Sequence, residues 1–197
     1  SGALNLKIAK AAKKMNIPVV YYIPPKVWAW ASWRARKIRR YCDFVIPLYE
    51  FENIHFKRLN IQTKPISHPL LSMIKPGKNY IPKKIALCPG SRKNEITQCL
   101  PIMLEACSRI HKQDNTCEFN LILARPELKM LINQCLLDVP NLKINIIEEN
   151  PHAVTQACHF TVCVSGTMSF ELMLQTIPMI VVYRFSTITA WIVKQLI

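Results

Sequence analysis

Short β-branched and aromatic runs alternate with segments of helical period along most of this chain, and such an alternation admits few folds. Ala3 to Met15 places Leu4, Ile8, Ala11, Ala12 and Met15 at helical spacing with lysines between them. Pro18 to Ile23 is an apolar strand stopped by Pro24-Pro25, and Trp33 to Tyr41 is a basic helix. Asp43 to Leu48 is a second strand and Phe51 to Leu59 a short helix. Between Ser67 and Pro82 the periodicity lapses around His68-Pro69, Pro76-Gly77 and Pro82, which places a domain boundary there: residues 1–70 and 71–197. A second series then runs strand Lys84 to Cys88, helix Asn94 to His111, strand Phe119 to Ala124 and helix Glu127 to Leu137. It continues with strand Leu142 to Ile147, helix Pro151 to Ala157, strand Phe160 to Val164, helix Thr167 to Gln175 and strand Met179 to Tyr183. Strands separated by helices pair in parallel under helices on both faces, so the expected class is doubly wound α/β.

Composition narrows the function classes. The longest apolar run, Ile177 to Tyr183, falls far short of the roughly 20 residues a bilayer-spanning helix needs, so no membrane span is expected. Ser1 is not a methionine and the final stretch, Ile188 to Ile197, ends without a cap, so the chain is expected to be part of a longer one. The 8 cysteines form no CxxC pair, and Cys88, Cys107, Cys158 and Cys163 fall in apolar segments, which favours free thiols in a reducing cytosol. The histidines are scattered, so neither a metal site nor a cofactor is expected. Residues 1–70 hold 13 Lys/Arg against 3 Asp/Glu, and residues 71–197 hold 13 against 9. That surplus favours an anionic partner: nucleic acid, phosphorylated lipid or an anionic membrane surface.

Two strand-to-helix turns carry the candidate chemistry. In Cys88-Pro89-Gly90-Ser91-Arg92-Lys93-Asn94-Glu95 a strand ends in a Gly turn that opens a helix; its amides are expected to point outward for an anion, with Arg92 as a clamp. The competing reading is a capped helix in which Glu95 complements the dipole and Arg92 is solvated. In Val164-Ser165-Gly166-Thr167-Met168-Ser169-Phe170-Glu171 the acidic residue lies four after Thr167, one place beyond capping-box spacing, and so shares a helix face with it. Glu171 is placed to accept both hydroxyls of a ribose while amides near Gly166 and Thr167 hold phosphates; the competing reading is a surface glutamate. Trp28, Trp30 and Trp33 crowd too closely to share one face, and two of the three are expected in the core. The helix bearing Arg34, Arg36, Lys37, Arg39 and Arg40 is either a solvated face or a contact for anionic lipid or phosphate. With no zinc finger, aromatic RNP pattern or recognition helix, nucleic acid is not the expected partner. His68 is expected to be a satisfied boundary histidine rather than a catalyst.

The ordered set Pro89-Gly90-Ser91-Arg92, Glu95-Ile96, Leu100-Pro101, Ser165-Gly166-Thr167, Glu171 and Pro178 to Arg184 resembles the lipid-A-disaccharide synthase family. Tyr22 to Pro25, Val27 to Trp30, Phe51-Glu52 and His68-Pro69 are similar to that family's landmarks in the same order. The resemblance implies a GT-B type glycosyltransferase with two Rossmann-like domains, each with a mainly parallel sheet flanked by helices. It implies transfer of 2,3-diacylglucosamine from its UDP derivative, UDP-2,3-diacylglucosamine, to 2,3-diacylglucosamine 1-phosphate. The products are a β-1,6 disaccharide and UDP, and the place is the inner face of the cytoplasmic membrane. Carried over, Gly90, Ser91, Arg92, Ser165, Gly166, Thr167 and Glu171 bind the nucleotide sugar, and Trp28, Trp30, Arg34 and Arg36 contact acceptor or membrane. The family's catalytic aspartate is expected just upstream of Ser1, which makes this stretch inactive alone. Two departures stand out: Ser67 replaces a Gly before His-Pro, and Ala31 replaces an Arg, with Arg34 or Arg36 as possible substitutes. The alternatives are another UDP-sugar enzyme of the same fold, or a non-catalytic basic module that binds nucleic acid or lipid.

Overall fold

A computed structural model describes residues 2–28, 32–74 and 80–184. Trp30, Ala31, Pro76-Gly77 and the final stretch Ile188 to Ile197 lie outside the described residues. The chain divides into two compact units, Ser1–Met73 and Ile74–Ile197.

In the first unit, helix α1 (Gly2–Lys14) leads to strand β1 (Val20–Tyr22), helix α2 (Trp33–Tyr41), strand β2 (Phe44–Ile46) and helix α3 (Glu50–Arg58). The two strands pair in parallel, with Tyr21 opposite Val45. Helix α1 packs on α2 and buries Leu6 and Ala9 with Ala35, Ile38, Val45 and Phe56. Strand β1 is shorter than its apolar run because the amide of Val19 is taken by the Asp43 side chain and Ile23 adopts a positive φ ahead of Pro24-Pro25. The boundary segment holds an unexpected helical turn, α4 (Leu70–Met73). His68 caps it, its Nδ1 accepting the Leu70 amide at 3.2 Å, so His68-Pro69 opens a helix rather than a loop.

The tryptophans depart from expectation. Trp28 is 44% exposed and Trp33 54%, so the core does not hold two of the three. Each ring finds surface partners instead: Trp28 meets Phe51 edge-on at 5.1 Å and donates its indole N–H to Glu52, while Arg34 and Lys37 cover Trp33.

The second unit follows the expected alternation. Strand β3 (Ile81–Cys88), helix α5 (Lys93–Gln113) and strand β4 (Glu118–Ile122) are followed by a single 3-10 turn, Pro126–Leu128. Helix α6 (Lys129–Leu136), strand β5 (Ile144–Ile147), helix α7 (Pro151–Ala157), strand β6 (Cys158–Val164), helix α8 (Thr167–Leu174) and strand β7 (Met179–Val182) complete it. Every pairing in the five-stranded sheet is parallel and the strand order is β5-β4-β3-β6-β7. Right-handed crossovers then place α5 and α6 on one face, α7 and α8 on the other. The cores agree: Ile96, Leu100, Met103 and Leu104 of α5 pack with Phe119, Leu121 and Ile132, whereas Val154, Met168 and Leu172 pack with Cys88, Cys163 and Ile177. One polar pair interrupts the apolar strands, with Asn145 donating to the Oδ1 of Asn120 directly across β4 and β5. Among the described residues no helix is long and apolar enough to cross a membrane.

Leu100 is fully buried between α5 and the sheet. Leu100→Ala is expected to lower unfolding free energy by about 2–5 kcal/mol in urea titrations. Burial pushes the Cys107 thiol up to about 12 and the Cys163 thiol to about 11. In the folded protein at about pH 8, iodoacetamide is therefore expected to label the less buried Cys117 and Cys135 first and to reach Cys107 and Cys163 only on unfolding.

Candidate functional site

Strands β3 and β6 are neighbours, yet the helices that follow them leave toward opposite faces of the sheet. That divergence opens a crevice at their carboxyl ends, the place where open α/β sheets hold ligands. Both glycine turns fall there and share one cavity of about 280 Å³. Gly90, Ser91 and Arg92 line it from the turn after β3; Ser165 and Gly166 line it from the turn after β6, and Thr167 and Glu171 from α8. Cys88, Ile122 and Met168 add apolar wall, and burial holds the Cys88 thiol neutral by raising its pKa far above the ordinary value.

The first turn is filled from within. The Glu95 carboxylate accepts the amides of Ser91 at 2.9 Å and Arg92 at 3.2 Å and pairs with the Arg92 guanidinium. The expectation of outward, unsatisfied amides with Arg92 as a free clamp is therefore corrected: a carboxylate one turn into α5, only 11% exposed, satisfies those orphan donors and the helix dipole. Gly90 makes this closure possible. Its φ is +104°, and a Cβ there would overlap the Glu95 carboxylate and approach Val164 to 2.9 Å.

The second turn is open. Gly166 is extended, with φ 165°, and a Cβ built on it meets nothing within 4 Å, so neither backbone conformation nor protein packing calls for glycine there. The start of α8 is closed by Ser169, whose hydroxyl accepts the Gly166 amide at 3.3 Å and donates to its carbonyl at 2.7 Å. With Ser169 making that cap, Glu171, one turn into α8 from Thr167, is left out of it, its side chain 14% exposed in the cavity wall. Its carboxylate stands 3.7 Å from the Nδ1 of His152, at the start of α7. Chemically the crevice offers a helix start, a hydroxyl-rich turn and one carboxylate: donors for phosphate oxygens and acceptors for paired hydroxyls.

In the first unit Arg36, Lys37, Arg39 and Arg40 are exposed along α2, Arg34 is half-buried beside Trp33, and Trp28 lies over Phe51. Trp30 lies outside the described residues. Sequence reasoning did not single out His152. It is 19 residues from Glu171 and carries no local pattern, and only because α7 and α8 both start at the carboxyl edge of the sheet do the two come together.

Comparison with known proteins agrees with this architecture. The family profile described as lipid-A-disaccharide synthetase matches residues 1–197. A lipid-A-disaccharide synthase of Coxiella burnetii is 34% identical over 98% of this chain and 53% of its own length. One of Nitrosococcus oceani is 32% identical over 98% of this chain and 52% of its own. The chain thus spans about half the length of the curated relatives it matches. Among solved structures, the GtfA/B complex superposes with a TM-score of 0.50 at 13% identity, covering 82% of this chain and 34% of that one, a likeness of fold alone. With two parallel α/β units of the GT-B glycosyltransferase type and a family match from the first residue to the last, this chain belongs to the lipid-A-disaccharide synthetase family.

Proposed function

We propose that the second unit is the nucleotide-sugar half of a hexosyltransferase of lipid A biosynthesis. In this reading the longer protein moves 2,3-diacylglucosamine from UDP-2,3-diacylglucosamine to 2,3-diacylglucosamine 1-phosphate and releases UDP. The observation that carries it is the shared cavity: two strand-end turns meet at the sheet's switch point, with a carboxylate on one wall. The Ser165-Gly166-Thr167 turn receives the diphosphate, because the open space over Gly166 lets an anion approach the backbone and the start of α8 supplies positive potential. Glu171 receives the ribose hydroxyls. Arg92, 77% exposed, reaches the departing diphosphate by exchanging its Glu95 contact for the stronger anion, while Gly90 and Ser91 hold the turn in shape. Fixed donors at a developing diphosphate do the work a metal would otherwise do. No described residue is assigned as the base; an aspartate upstream of Ser1 fills that role in this reading.

The first unit contributes the acceptor side. Trp28 offers an apolar plate, Arg34 and Arg36 charge for a sugar phosphate, and the exposed cations of α2 face an anionic membrane surface on the cytoplasmic side.

Binding of UDP separates this reading from its rivals. UDP at millimolar concentration is expected to raise the melting temperature, and Glu171→Ala to abolish the rise. Gly166→Val is expected to leave melting without UDP nearly unchanged, because its side chain enters open space, yet to abolish the response. Equal melting with and without UDP in the unaltered protein sinks the proposal. For the longer protein, transfer from diacylated UDP-glucosamine is expected to exceed transfer from UDP-N-acetylglucosamine by at least about tenfold, a discrimination of roughly 1.4 kcal/mol. Equal use of the two points to another UDP-sugar enzyme of the same fold.

A further inference from the structure

A chain of polar contacts runs from the packed interior behind α7 and α8 to the cavity wall and ends at Glu171. Thr155 and Gln175 are buried, 0% and 1% exposed, and the Thr155 hydroxyl lies 3.2 Å from the Gln175 Oε1. The other end of that amide, Nε2, lies 3.3 Å from His152 Nδ1. An amide nitrogen only donates, so in this arrangement His152 Nδ1 is the acceptor and the neutral ring carries its proton on Nε2. The same Nδ1 stands 3.7 Å from the Glu171 carboxylate. It cannot serve both neighbours in one protonation state: neutral, it accepts from Gln175; protonated, it gains an N–H for Glu171 and loses the lone pair that Gln175 requires.

We infer that His152 is a positioning residue whose protonation decides whether Glu171 is available to a ribose, which makes nucleotide binding proton-linked. The inference rests on the assignment of Glu171 to the ribose. With a neutral ring, Glu171 has no donor from His152 and turns to the cavity. With a charged ring, the imidazolium holds the carboxylate and competes with the two hydroxyls. Binding of the nucleotide therefore releases a proton, and affinity falls as pH drops through the range where an imidazole charges. The charges around His152 suit a local switch. From α8 the Glu171 carboxylate approaches it, and Gln175, just beyond that helix, is neutral. In the turn before α7, Glu148 is paired with Lys129, leaving Glu149 as the adjacent acidic residue. Lys83, Lys84 and His159 of the strands packed on α7 sit toward the amino-terminal edge, away from the helix start.

The test is UDP affinity by calorimetry from about pH 5.5 to about pH 8 for the unaltered protein, His152→Gln and Glu171→Gln. His152→Gln keeps a group that accepts from Gln175 but cannot charge, so subtracting its profile removes the titration of UDP's own phosphate. The expected result is an extra loss of about tenfold at the acid end in the unaltered protein, equivalent to one pKa unit of coupling. Glu171→Gln is expected to bind weakly at every pH. Because coupling is reciprocal, NMR titration of the His152 ring is expected to show its pKa lowered when UDP is bound, a readout that needs no variant to fold. Coincident profiles for the unaltered protein and His152→Gln, tighter binding at acid pH, or a ring titration indifferent to UDP overturns the inference. Absence of UDP binding by the unaltered protein at the alkaline end overturns instead the nucleotide reading beneath it.

Discussion

The adjacency of β3 and β6 in an all-parallel sheet is the constraint on which the second unit's site depends. Parallel pairing fixes every carboxyl end on one edge, and the order β5-β4-β3-β6-β7 makes the chain leave that edge in opposite directions at one place. Cys88 and Cys163 are in register across this pair, so the two glycine turns begin at nearly the same height. A cavity there is a consequence of connection handedness and needs no special side chain to create it.

Within that cavity the two turns have diverged in role. At the β3 turn, glycine is demanded by the protein itself, because a positive φ and a carboxylate packed against the Cα leave no room for a Cβ. At the β6 turn nothing in the protein demands it. A small residue where packing leaves empty space is what close approach by a bound group would ask for. The two helix starts make the same contrast. Glu95 serves as an internal anion for α5, while Ser169, uncharged, caps α8 and leaves its dipole to attract something from outside.

The first unit obeys the same physics on a smaller scale. Two parallel strands and three helices bury a modest core around Ile38, Val45 and Phe56, and the aromatic residues beyond it turn outward. Trp28 and Trp33 keep surface positions because each has a partner for its ring or its N–H: Phe51 and Glu52 for one, Arg34 and Lys37 for the other. Basic charge on α2 is therefore organised around an aromatic ring rather than merely dispersed.

Period and punctuation in the sequence determined the elements. Apolar runs such as Phe119 to Ala124 and Phe160 to Val164 have the length of strands rather than helices and lie between helical segments, and the Gly turns after Cys88 and Val164 could be located as strand-to-helix turns. Those are local properties, written within ten residues. Side-chain geometry within a single turn chose between local alternatives, folding Glu95 back onto the amides of Ser91 and Arg92 and starting a helix at His68, whereas tertiary structure decided that Trp28 and Trp33 stay outside and that His152 meets Glu171. The meeting of His152 and Glu171 depends on a contact competing against water and Gln175 at a distance fixed only after the strands have paired. Sequence periodicity carries the direction in which a side chain leaves its own element, but not which group of another element will be waiting there.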